Sequence, residues 1–157
     1  MKINSDFSDL LSALNEAEAR YLIVGAYAVA WYAEPRFTKD LDIWVEPSPD
    51  NAQRVLQALQ GFGAPLQDLT ADDLSTPGMV FQMGVPPNRI DLLTEPSGGI
   101  SFEDAWAHRV EGHHGEVRMW VIGLDELLRN KRSVARPQDL RDVRALERVA
   151  AKSTPRR

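Results

Sequence analysis

Cysteine is absent from the 157-residue chain, which excludes both a disulfide framework and a thiolate metal site. No apolar run approaches the roughly 20 residues that span a bilayer. The amino end, residues 1–20, is polar and acidic, where a secretory signal would be basic and then apolar. Internal repeats and low-complexity segments are missing too. Gly98-Gly99 is not followed by Lys and Ser or Thr, so it reads as a turn and not as a phosphate loop. Together these absences predict a soluble, cytoplasmic protein that associates with no membrane. The length suits one domain with a real core, and 43% hydrophobic with 26% charged residues is ordinary for a globular protein. We expect a single domain over 1–152 and a frayed tail over 153–157.

Charge is unevenly spread. The net charge of −5 argues against a general nucleic-acid binder. From Arg129 onward, however, stand ten of the 18 Lys and Arg but only three of the 23 Asp and Glu. That imbalance reads either as a basic flank that meets phosphates or as a solvated helix with arginines on its outer face.

Periodicity outlines the elements. Helical spacing of Phe7, Leu10, Leu11 and Leu14 predicts a helix over Ser5–Ala19, capped by Ser5 or Asp6. Tyr21–Val24 reads as a buried strand entering a tight turn at Gly25, with a packed helix over Ala26–Ala33. Leu41–Val45 alternates as a strand, and an amphipathic helix follows over Asp50–Gln60 with Gly61 after it. Beyond a mostly loop segment with a short helix at Ala71–Leu74 come strands at Met79–Met83 and Arg89–Leu93. A short helix at Ser101–Arg109, a strand at Val117–Ile122 and a helix at Asp125–Arg132 precede the last helix. Pro137 opens that helix, with Leu140, Val143, Leu146 and Val149 as its buried stripe. Helices and strands mix without regular βαβ alternation, which predicts an α+β (mixed α/β) fold with a central mixed sheet flanked by helices.

The most informative segment is Asp40-Leu41-Asp42-Ile43-Trp44-Val45. Residues two apart on a strand share a face, so Asp40 and Asp42 project together, roughly 6–7 Å apart. Their repulsion is relieved by a cation between them, and an all-oxygen ligand set suits Mg²⁺. Asp91 is a third carboxylate inside the apolar strand Arg89–Leu93. If the two strands are neighbours the three acids converge, as two-metal phosphoryl transfer requires. The bland alternative is a pair of strand-end acids in solvent or bridged to Arg36 and Lys39. An aspartyl-nucleophile phosphatase needs its apolar run before the acid pair, whereas here it follows. A metal-dependent nuclease would leave the Gly25 turn unexplained. His108, His113 and His114 fall near Gly112 and Gly115 and read as a solvated loop, not a metal site.

In these segments the chain resembles the DNA-polymerase-β-type nucleotidyltransferase superfamily. The matching pieces are Leu22-Ile23-Val24-Gly25-Ala26, then Asp40-Leu41-Asp42-Ile43, then Asp91. Closer still, Arg36 to Val45 is similar to the bacterial branch of abortive-infection nucleotidyltransferase toxins (AbiEii-like). Glu126-Leu127 with Lys131, and Arg136 with Asp139-Leu140 and Asp142, are similar to that branch's downstream helix pair. The resemblance spans about Tyr21 to Leu146. It implies a nucleotidyltransferase fold and transfer of a nucleoside monophosphate from a nucleoside triphosphate, with Mg²⁺ or Mn²⁺ and release of pyrophosphate.

By the same resemblance Asp40, Asp42 and Asp91 are the catalytic and metal-binding acids, with Asp91 holding a second ion or serving as base. Gly25, Ala26, Lys39 and Lys131 are the nucleotide contacts. The acceptor stays open among tRNA or another RNA, a protein hydroxyl and a small molecule, and a cognate toxin or antitoxin is the implied protein partner. Two positions depart from the pattern: Ala26 stands for the usual second Gly or Ser, and Gln138 for a frequent Lys. A nucleotidyltransferase-fold binding protein or antitoxin without turnover is the alternative. For Asp139 and Asp142, in the first turns of the last helix, a structural role at its positive end outweighs a catalytic one.

Overall fold

In the computed structural model, residues 4–33, 40–66, 68–85 and 88–153 are described. Their elements are α1 (Ser5–Glu16), β1 (Tyr21–Val24), α2 (Gly25–Tyr32), β2 (Asp40–Val45), α3 (Pro49–Phe62), α4 (Ala71–Leu74) and β3 (Val80–Met83). They continue with β4 (Arg89–Leu93), α5 (Phe102–Ala107), β5 (Val110–His114), β6 (Val117–Val121), α6 (Leu124–Val134) and α7 (Pro137–Ser153). The six strands form one mixed sheet in the order β3-β4-β2-β1-β6-β5. β1 runs antiparallel to β2 and parallel to β6, and β2 runs parallel to β4, while the β3–β4 and β5–β6 pairs are antiparallel. The fold class is therefore as expected, a mixed sheet with helices packed on it.

Alternation along β2 decides where the site opens. Leu41, Ile43 and Val45 turn to one face and are buried. Asp40, Asp42 and Trp44 share the other. Trp44 is fully buried under α5, edge-on to Phe102 at 5.1 Å, and its indole N–H donates to the Thr94 carbonyl at 3.2 Å. The apolar end of this face is thus roofed, and its acidic end is left open. α2 packs on β1, β2, α6 and α7, while α1 packs on α3 and β6.

Several local readings are corrected. The cap of α1 is Asn4, whose side chain accepts from the Asp6 and Phe7 amides, in place of Ser5 or Asp6. α3 runs through Gly61 and ends at Gly63, whose φ of 88° supplies the left-handed cap. The histidine segment is no loop: His113 and His114 lie in β5, and buried His114 accepts from the Asn4 amide through Nε2 at 3.0 Å. His108 caps α5 and pairs with Glu126. Leu140 is not in the buried stripe of α7 but 42% exposed, and Asp139 and Asp142 turn inward beside Val143 and Leu146. α7 continues to Ser153, the first residue of the expected tail, and residues 154–157 lie outside the described ones. Among the described residues no helix is long and apolar enough to cross a membrane.

Candidate active site

β2 and β4 lie side by side and parallel, with Asp40 opposite Arg89 and Asp42 opposite Asp91. Both pairs project to the face that α5 leaves open. Three carboxylates and one guanidinium therefore occupy a small square of sheet. Arg89, expected only as the first residue of a strand, shares that face because it stands two residues before Asp91, a spacing visible in the sequence. Its side chain grips Asp91 as a fork, Nε to Oδ1 at 3.1 Å and Nη2 to Oδ2 at 3.2 Å, and stands 4.0 Å from Oδ2 of Asp40.

Asp42 sits at the back of the square, against the turn from β1 into α2. Gly25 begins α2 at φ +67°, where a Cβ would be strained and would overlap Oδ2 of Asp42. Glycine is required there on both counts. Burial first, and then the charges of Asp91 and Asp40, push the Asp42 carboxyl up from 3.8 to about 7. Among the described residues, Oδ1 of Asp40 is buried with no hydrogen-bond partner.

A cleft of about 670 Å³ opens in front of Asp42. One side is the start of α2 at Gly25 and Ala26, whose first N–H groups have no side-chain cap. Another is the loop carrying Glu95 and Ser97, tied to α6 by the Asn130 amide donating to the Ser97 carbonyl at 2.8 Å. The far wall is the α6–α7 hairpin, which contributes Lys131, Arg136, Gln138 and Arg141. In that wall Lys131 is 6% exposed, and its ammonium lies 3.1 Å from Asp139 and 3.2 Å from Asp142. Arg136 grips Asp139 from outside, Nε to Oδ2 at 2.7 Å. These bonds, Arg136 foremost and then Lys131, hold the Asp139 carboxyl down at about 2.

The cleft therefore brings together Gly25, Ala26, Asp42 and Lys131. Asp40 and Asp91 flank Asp42 on the sheet without lining the cleft. Lys39, with Arg36 and the rest of 34–39, lies outside the described residues. Glu95 and Ser97 come from the loop that leaves β4, four and six residues after Asp91, whereas Asn130 comes from α6, far from the acids in sequence.

The donor chemistry fits a hard divalent cation on one side of the square. Asp40 and Asp42 offer carboxylate oxygens on one face, one with a buried oxygen unsatisfied among the described residues and the other a carboxyl that burial, and then its acidic neighbours, push up to about 7. Mg²⁺ commonly takes one or two carboxylates and completes its shell with water and phosphate. Asp91 differs, because both its oxygens already accept from Arg89. Among the described residues no group of three or more His, Asp or Glu is arranged to hold a metal ion.

No family model matches the chain, and no curated protein matches it. Among solved structures it is similar to a lincosamide antibiotic adenylyltransferase, LnuA, determined with lincomycin bound. The TM-score is 0.61 at 14% identity, covering 93% of this chain and 97% of that one. At this identity the likeness shows the fold, and the fold is that of a nucleotidyltransferase across nearly the whole chain.

Proposed function

We propose that this chain transfers a nucleoside monophosphate from a nucleoside triphosphate to a hydroxyl group, with Mg²⁺ or Mn²⁺. The observation that carries the reading is Asp42. It stands at the floor of the cleft, pressed against the Gly25 turn, beside two more carboxylates that leave it short of positive charge. Perturbed acids in a cleft are where chemistry is expected.

Asp40 and Asp42 would hold the cation, which when bound draws charge from the phosphate oxygens. The backbone amides at Gly25 and Ala26 receive the β- and γ-phosphates at the positive end of α2. Ala26 has no hydroxyl, so this contact is made by backbone alone. Lys131 and Arg141 lend positive potential from the opposite wall. Asp91 takes the proton of the acceptor hydroxyl: a carboxylate held by an Arg fork keeps lone pairs for a further partner, and the fork fixes its plane. The hydroxyl oxygen bonds to the α-phosphorus as the bond to the bridging oxygen breaks, and pyrophosphate leaves. Positioning and charge stabilisation supply most of the rate.

A small-molecule hydroxyl is the acceptor favoured by likeness to an enzyme that acts on a lincosamide over almost its full length. An RNA end, tRNA included, and a protein hydroxyl remain in the test, as does a toxin–antitoxin or phage-defence role for the chain. The second reading, a nucleotide-fold binding protein or antitoxin without turnover, is favoured by one observation: Asp91 and Lys131 are both already engaged in ion pairs.

The experiment is transfer of label from α-³²P nucleotides, with Mg²⁺, to a lincosamide, other small hydroxyl compounds, bulk tRNA and total protein. Wild type and Asp42→Asn run in parallel. We expect label on one acceptor class, reduced on the order of 10²–10³-fold or more in the variant. Nucleotide binding without transfer to any acceptor would sink the enzymatic reading in favour of the second.

A further inference from the structure

The Arg89 fork bears on how many ions the site takes. We propose that Arg89 is a resident cation of the carboxylate square: its fixed positive charge, held against both oxygens of Asp91, keeps a second divalent ion off that residue and confines the site to one divalent ion, on Asp40 and Asp42. The inference rests on the metal-dependent reading above but concerns ion number and not transfer.

The strand register forces the arrangement. Because Asp40 faces Arg89 and Asp42 faces Asp91 across a parallel pair, the guanidinium stands at the corner of the square next to Asp91 and across from Asp40. It makes two hydrogen bonds to Asp91, at 3.1 and 3.2 Å, and only a 4.0 Å approach to Asp40. A guanidinium is always charged and its planar fork matches a carboxylate, so this is the strong, orienting kind of pair. An ion bonded to Asp91 at about 2.1 Å would lie no more than about 5 Å from that guanidinium, with neither charge able to neutralise. The other corner is the reverse case. Oδ2 of Asp40 faces Arg89, while among the described residues Oδ1 is buried without a hydrogen-bond partner and Asp42 makes no ion pair. Two carboxylates with triphosphate oxygens complete the shell of one Mg²⁺. In a two-metal site the ions stand about 3.5–4 Å apart and share a bridging acid. Here the position of the second ion is already filled by positive charge.

The test counts bound Mn²⁺, by its free-ion paramagnetic resonance signal, on the full chain with a non-hydrolysable nucleoside triphosphate analogue. Wild type, Arg89→Gln and Asp91→Asn are compared. We expect one ion in wild type and a second in Arg89→Gln, whose Asp91 is released. Asp91→Asn should keep its single ion, with affinity changed by less than the roughly tenfold that loss of an outer partner brings. Two ions in wild type, or one only in Arg89→Gln, would overturn the proposal. Loss of the ion in Asp91→Asn would overturn it too, and that arm stands even if Arg89→Gln fails to fold. Label transfer measured on the same wild-type sample separates the two readings. Transfer with two ions removes the Arg89 proposal and keeps the function; one ion without transfer removes the function and keeps the proposal.

Discussion

The floor of the cleft and its far wall both gather acids around a cation, and they leave the balance in different states. In the wall, Asp139 and Asp142 close on Lys131 at 3.1 and 3.2 Å, Arg136 adds a second cation, and the two acids and the lysine are buried. In the floor, among the described residues, Asp40, Asp42 and Asp91 share one arginine, and the deficit appears as an unpartnered oxygen on Asp40 and an Asp42 carboxyl raised to about 7. A cluster whose charges cancel is complete within the fold. One that is short of positive charge is completed from outside, by a proton or a cation. The same residue types thus serve as scaffold in one place and, in the function proposed above, as ligands in the other, and the balance of charge tells them apart.

Breaking the wall should cost most. Lys131→Met leaves two carboxylates facing each other in the interior, which is expected to destabilise the fold by about 3–5 kcal/mol. For a chain of this size that lowers Tm by roughly 6–20 °C, measurable by thermal melting. Adding Asp142→Leu should restore part of the loss, because a buried ion pair replaced by apolar groups is often neutral. If Lys131→Met keeps its Tm and loses only nucleotide affinity, Lys131 is a phosphate ligand and the wall is not its work.

The floor should respond to pH where the wall does not. Asp42 in the folded chain titrates near 7 and ordinarily at 3.8, so between about pH 4 and pH 7 the native state binds more protons than the unfolded one. Stability from this group is therefore greatest below about pH 4 and falls as pH rises towards 7. Asp139 works in the opposite sense. Its depressed value of about 2 contributes stability above pH 4 that is lost as pH falls from about 4 to 2. In chelator, Tm should decline from about pH 4 to pH 8, and Mg²⁺ should flatten that decline by supplying the missing charge. Asp42→Asn should remove the decline while leaving the acid limb. A variant that keeps the full decline would show that another group titrates there.

The sequence made the floor legible because a strand has a fixed period. Asp40, Asp42 and Asp91 each announce a face by their apolar neighbours, and only the register was missing. Arg89 was visible by the same rule and went unread, since an arginine beside an acid looks like a boundary. The wall was hidden for a different reason. A charged residue at a helix start normally faces water, so the period of α7 was set by Leu140. Lys131, arriving from α6, instead draws Asp139 and Asp142 inward and leaves Leu140 exposed. β5 was hidden by composition, as Gly112 interrupts its strand formers. A Cβ there would meet the Trp31 ring at 3.2 Å and Val121 at 3.0 Å, so the glycine records packing from another element that no local pattern carries.

The smallest effect offers the cleanest control on the comparison. Arg132 follows Lys131 directly on α6 and also bonds a carboxylate of α7, Glu147, at 3.0 Å. The bond length, the partner type and the pair of helices are nearly those of the Lys131 contacts. Exposure is what differs: the Arg132 and Glu147 side chains are 52% and 51% exposed, against 7% and 1% for Lys131 and Asp139. Water already solvates both charges of the outer pair, so ordering them gains little, and salt screens what remains. Arg132→Ala should cost no more than about 1 kcal/mol, shift Tm by at most about 2–4 °C, and lose even that difference at high salt. A fall as deep as that of Lys131→Met would mean that bridging α6 to α7 matters and burial does not. The contrast between wall and floor would then have to be argued from hairpin geometry and not from charge balance.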